Sequence, residues 1–139
     1  MLNKSTLAAA IVAALCVPAQ ASSVKPVSLL SGTYLISTVE NCIQGAGVLN
    51  HTTGTLTFDT NTGKAKLDAY VLNGKQIVLL RIRENESYQN SDTSLTLGSD
   101  TFHAFYGPSS SGISSYVTFI GLTNEGSAGC LTQGTLTRQ

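Results

Sequence analysis

Residues 55–84 read TLTFDTNTGKAKLDAYVLNGKQIVLLRIRE, and their turn punctuation decides the fold class. Asn73-Gly74 between alternating apolar residues is the strongest short-range hairpin signal, because both central residues of a type I′ turn need positive φ. A two-residue loop there sets Leu72 opposite Lys75. Counting back then pairs Ala69 with Val78, Leu67 with Leu80 and Ala65 with Ile82, which makes one face wholly aliphatic. The other face sets Tyr70 against Ile77, Asp68 against Leu79, Lys66 against Arg81 and Lys64 against Arg83. The earlier turn, Thr60-Asn61-Thr62-Gly63, closes with a two- or four-residue loop, and either even count brings Leu56 and Phe58 onto the aliphatic face. A one-residue slip would reverse every side chain, so this agreement predicts a three-stranded meander from Thr55 to Glu84.

The rest of the chain continues the pattern. Thr, Ser, Gly and β-branched residues dominate, and short alternating runs are broken by turn residues. Leu95 and Leu97 face Phe102, Ala104 and Tyr106 across a turn near Gly98-Ser99-Asp100. Ser115–Leu122 and Cys130–Thr137 read as the last strands, Gly32–Val39 as the first, and a weaker stretch over Gly47–Asn50 as the second. Sequential strands joined by short turns predict a small up-and-down barrel of about eight to nine strands, since closure removes aggregation-prone edges. A β-sandwich has the same strand content and is the alternative.

The N-terminus carries Lys4, an apolar run from Leu7 to Val17 and the small-residue site Ala19-Gln20-Ala21, the make-up of a cleavable secretory signal over residues 1–21. Cys16 offers a lipid attachment site, but bulky Leu15 precedes it and a better cleavage site follows. Removing 21 of the 139 residues leaves 118, enough for one β domain over 22–139. Two cysteines remain in an oxidising compartment, so a disulfide between Cys42 and Cys130 is expected, closing 88 residues and stapling the first strand to the last.

Without Lys4, seven basic residues stand against eight acidic ones, a formal charge of −1, which argues against nucleic acid as a partner. No run after Val17 approaches the roughly 20 apolar residues of a membrane helix. His51, placed in the loop Asn50-His51-Thr52, and His103, pointing away from the core, have no metal-ligand spacing, so no metal or other cofactor is expected. The stretch Asn85–Asp92 lacks the regular acidic spacing of a calcium loop. No Gly-x-Ser-x-Gly motif marks a hydrolase, and Asp59, Asp68, Glu84, Glu86, Asp92, Asp100 and Glu125 fall mostly at turns and strand ends, where such residues bond their own backbone.

Two features point to a partner. The hairpin register collects Lys64, Lys66, Arg81 and Arg83 on one face, a basic strip suited to an anionic surface unless local carboxylates neutralise it. The tract Gly107–Gly112, with Pro108, Ser110 and Gly112, forms a flexible loop between aromatic strands, suited to insertion into a cleft. Gly32-Thr33-Tyr34 resembles the Gly-x-Trp that opens lipocalin-like barrels, and Arg138 resembles the arginine that packs near it; tyrosine stands where that family has tryptophan. The resemblance spans four residues and implies a barrel over a sandwich.

The functional expectation is an exported, non-enzymatic binding protein, periplasmic or extracellular, taking a small apolar ligand in the barrel mouth or an anionic partner on its surface. An enzyme inhibitor presenting the Pro108 loop or the basic strip is the alternative, and a secreted hydrolase the weakest one.

Overall fold

The computed structural model describes residues 29–42, 49–125 and 128–139, with Asn124, Glu125 and Ala128 described by their backbone alone. The expected leader over residues 1–21, with its expected cleavage site, lies outside the described residues. The strands are β1 (Gly32–Cys42), β2 (Leu49–Asp59), β3 (Lys64–Asn73), β4 (Gln76–Asn90), β5 (Ser94–Leu97), β6 (Asp100–Tyr106), β7 (Ser109–Ser110), β8 (Ile113–Ser114), β9 (Tyr116–Glu125) and β10 (Ala128–Arg138). Eight of them close into an antiparallel up-and-down barrel in the order β1-β10-β9-β6-β5-β4-β3-β2, while β7 and β8 pair as a small separate hairpin.

Period-two patterning places the core. Tyr34 and Ile36 on β1, Leu56 and Phe58 on β2, Phe102 and Ala104 on β6, Val117 and Phe119 on β9, and Leu136 on β10 all point inward and are buried. A barrel of eight strands is just wide enough for such side chains to fill it. Two inward positions carry glycine because the neighbouring strand passes too close for a Cβ. One placed on Gly54 would lie 2.5 Å from Ala69 Cα, and one on Gly134 would lie 2.7 Å from Ser37 O.

Leu49 and Asn50 open a single longer strand, β2, which also places His51 within the sheet rather than in a loop, while Gly47 and Val48 lie outside the described residues. The turn before β3 has four residues. Asp59 pairs with Lys64, and Gly63 N–H donates to Asp59 O at 2.9 Å. The Thr62 hydroxyl and the Asn61 N–H both donate to the Asp59 carboxylate, holding it below the usual carboxylate range.

One end of the barrel is plugged. Leu30 is buried, its carbonyl accepts from Tyr88 Oη at 3.1 Å, and the Tyr34 hydroxyl donates to Ser114 O at 2.7 Å. Phe58 packs edge-on against both tyrosines, with centroids 5.5 Å from Tyr34 and 4.8 Å from Tyr88. The tract expected to be a flexible loop is ordered. β7 and β8 pair through Ser109–Ser114 and Ser110–Ile113, and Ser115 N–H and Oγ both donate to Pro108 O. Leu29 clamps this hairpin by bonding Gly112 O and Ser114 N–H.

The other end carries the disulfide, joining directly opposed residues of β1 and β10. Such a bridge points to an oxidising, exported compartment. Closing 88 residues of chain stabilises by roughly 4 kcal/mol in the loop-entropy account. Replacing both Cys42 and Cys130 by serine is expected to lower the urea-unfolding free energy by about that amount.

Near the plugged end, burial and the nearby Asp92 push Tyr106 up to about 12, while its hydroxyl donates to Ser94 O at 2.7 Å. A phenol whose folded value exceeds its unfolded value of about 10 stabilises the fold below pH 10, and that contribution disappears as pH rises through 12. Phenolate absorbance should show Tyr106 ionising late, and Tyr106→Phe should flatten the alkaline loss of stability across that interval.

Candidate functional site

The site is built by two irregularities in β4. At the turn, Asn73 pairs with Gln76, so the loop is Gly74-Lys75 rather than Asn73-Gly74, and positive φ occurs at Gly74 and not at Lys75. That is the pattern of a Gly-X loop. It moves the register by an even count and reverses no side chain. The next step does. Leu72 pairs with Ile77 but Val71 pairs with Leu79, so Val78 is an extra, bulged residue, and every β4 side chain beyond it changes face.

The expected hairpin pairs are therefore corrected. Ala69 faces Arg81 and Leu67 faces Arg83, whereas Tyr70 faces Leu80 and Asp68 faces Ile82. Leu56 and Phe58 are buried as expected, and Leu67 packs against the core, but Val78, Leu80 and Ile82 are about half exposed. A second bulge restores the original phase. Lys66 is opposed by both Glu84 and Asn85, Ala65 faces Glu86, and Asn85 takes φ 59, a left-handed conformation that asparagine tolerates. The segment Asn85–Asn90 is strand, not a loop.

Between the bulges two arginines enter the barrel. Arg81 Nη1 bonds Glu40 Oε1 at 2.9 Å, with side-chain exposures of 11% and 5%, and lies 3.5 Å from Thr52 Oγ1. Beside Glu40, on the next two strands, the Thr132 and Thr123 hydroxyls bond each other at 2.9 Å. This polar layer borders a cavity of about 80 Å³ whose apolar wall includes Ile36, Leu56, Leu67, Phe102 and Phe119; Arg83, Glu86 and Asp100 complete its charged side. Two polar atoms of the layer, Thr38 Oγ1 and Glu40 Oε2, are buried with no hydrogen-bond partner among the described residues. Buried polar atoms are nearly always satisfied by protein or ordered water, and both of these belong to residues that line the cavity.

The four cations of the expected basic strip do not share a face. Lys64 and Lys66 remain outside, where Lys66 pairs with Glu84 at 3.2 Å, while Arg81 and Arg83 line the cavity. Pro108, Ser110 and Gly112 lie on or beside the small hairpin at the plugged end, remote in the strand order from the polar layer. Cys42 and Cys130 lie at the opposite end of the barrel from that hairpin.

Glu40, Thr38, Thr52, Thr123 and Thr132 escaped the sequence reading. One signal for them was present. Glu40 shares inward parity with Tyr34 and Ile36, and an inward carboxylate requires a cation from elsewhere in the chain.

A separate Ser-His contact also went unread: Ser37 Oγ and His51 Nε2 lie 3.0 Å apart on the outer face of β1 and β2. No carboxylate among the described residues bonds His51 as a third member, and the contact sits on a sheet face rather than in a cleft. Compared with known proteins, the chain matches no family model, no curated sequence and no solved structure.

The ion pair makes a sharp energetic prediction. Arg81→Met should cost about 3–5 kcal/mol by leaving a buried carboxylate uncompensated, whereas Glu40→Leu combined with Arg81→Met should recover most of that loss. Urea unfolding of the two single variants and the double variant measures the coupling.

Proposed function

We propose that this protein is a non-enzymatic, exported binding protein that takes a small, mainly apolar ligand into the disulfide end of its barrel. The observation that carries the reading is the pairing of an apolar cavity with two buried, unpartnered acceptors, Thr38 Oγ1 and Glu40 Oε2. An apolar body suits the wall formed by Ile36, Leu56 and Phe119. A single hydroxyl or amine on that body donates to Glu40 Oε2 and removes the penalty of an unsatisfied acceptor, about 1–3 kcal/mol. At about 80 Å³ the cavity is roughly half the size of one that accepts benzene, so the inserted part is a few heavy atoms and a longer ligand projects from the mouth.

The inhibitor reading keeps one supporting feature. The β7–β8 hairpin is tied at both ends while Ser109–Gly112 stay exposed, the form of a rigid inserting tip. It offers no unsatisfied group and no cavity, so the ligand reading has the stronger chemical basis.

Titration of isotope-labelled protein with short straight-chain primary alcohols and amines tests the proposal by NMR. Amide shifts should concentrate at Ile36, Thr38, Thr52 and Phe119, and Glu40→Leu with Arg81→Met should remove the preference for donor-bearing ligands over alkanes. Unmoved cavity resonances at millimolar ligand would falsify the reading.

A further inference from the structure

We propose that the outer face of the β3–β4 hairpin is a self-association surface, and that its occupant is the same face of a second copy of this chain. The reasoning is independent of the cavity. By reversing β4, the Val78 bulge places Leu80 and Ile82 outward beside Tyr70, while Ile77, 63% exposed, lies across from Leu72 on the same face. These residues are neighbours across two paired strands, not apolar residues scattered singly. Together with Val78 they present on the order of 500 Å² of apolar surface, at the upper end of what monomers leave uncovered.

Among the described residues, the same strand is paired on one side only over most of its length. β4 runs for 15 residues, yet β5 pairs only with its last three, Tyr88, Gln89 and Asn90. Along Gln76–Glu86, no described strand covers the side away from β3.

Charge and area favour a second copy over a different macromolecule. Lys75 sits at the hairpin tip, and Asp68 lies beside Ile82 at the opposite end of the patch. Between these ends the face is apolar, and the nearby Lys66 and Glu84 neutralise each other. A two-fold axis between Tyr70 and Leu72, midway from Asp68 to the turn, therefore carries the Lys75 tip of each copy over Asp68 of the other, the self-complementary arrangement that a two-fold interface requires. Two such faces bury about 1,000 Å², the lower bound for a specific interface. A formal charge of zero for the whole chain opposes association only weakly.

Sedimentation equilibrium of the purified, disulfide-intact protein, from low micromolar to several hundred micromolar, is the test. The expected result is a monomer–dimer equilibrium within that range. Leu80→Lys with Ile82→Lys should raise the dissociation constant at least tenfold, with the far-UV spectrum and the unfolding midpoint of the monomer unchanged. Lys75→Glu should weaken the dimer and the added Asp68→Lys restore it; these exposed side chains decide the matter should the lysine pair prevent folding. A protein that stays monomeric throughout overturns the proposal, including one that uses this face to bind lipid vesicles or an unrelated protein. A dimer indifferent to the lysine pair overturns it as well, and failed restoration by the charge swap overturns the two-fold arrangement.

Discussion

One extra residue in one strand governs the inside and outside of this barrel. Because side chains alternate along a strand, inserting Val78 opposite the Val71–Leu72 step moves Leu79–Glu84 to the opposite phase. Arg81 thereby reaches Glu40, while Leu80 and Ile82 lose their places in the core. The competing magnitudes are close. Half-exposing Val78, Leu80 and Ile82 gives up on the order of 1 kcal/mol each, whereas leaving Glu40 buried without its cation costs about 3–5 kcal/mol. The bulged phase gives the carboxylate its cation and leaves the aliphatics on the outer face. The polar cavity layer and the apolar outer face are two consequences of the same insertion.

The two ends of the barrel differ in kind. At one, Leu30, the Tyr34-Phe58-Tyr88 cluster and the small hairpin form a plug whose hydroxyls and carbonyls are matched across 58 and 80 residues of sequence. At the other, the disulfide holds the seam between the first and last strands, and the interior changes from aliphatic to threonine, glutamate and arginine. A sealed end and a polar, incompletely satisfied end give the molecule a direction. The same asymmetry separates the ligand reading, which uses the disulfide end, from the inhibitor reading, which uses the hairpin at the plug.

Legibility in the sequence followed the range of the interactions. The even-count turn after Asp59, the hairpin at Gly98-Ser99 and the burial of Phe102 and Ala104 depend on residues within a few positions of each other, and they were readable, although only the structure chose four residues over two for the first turn. β4 was not readable in the same way. Ile77-Val78-Leu79-Leu80 is apolar in both phases, so its pattern cannot report a bulge, and the alternation in Arg81-Ile82-Arg83 argues locally for the wrong face. Inward Glu40 held the correcting information, but it lies 41 residues from its cation. Tyr34 and Arg138, whose resemblance to a lipocalin-like pair favoured a barrel, do meet as register partners on β1 and β10.

By itself the amino-acid sequence determined the all-β class, the up-and-down connectivity and the Cys42–Cys130 staple, because turn chemistry, period-two patterning and an even cysteine count act locally or by simple pairing. Tertiary structure alone decided which face of β4 became the interior. That choice rests on closing the barrel around a buried carboxylate, an electrostatic demand that appears only when β1 and β4 share one lumen.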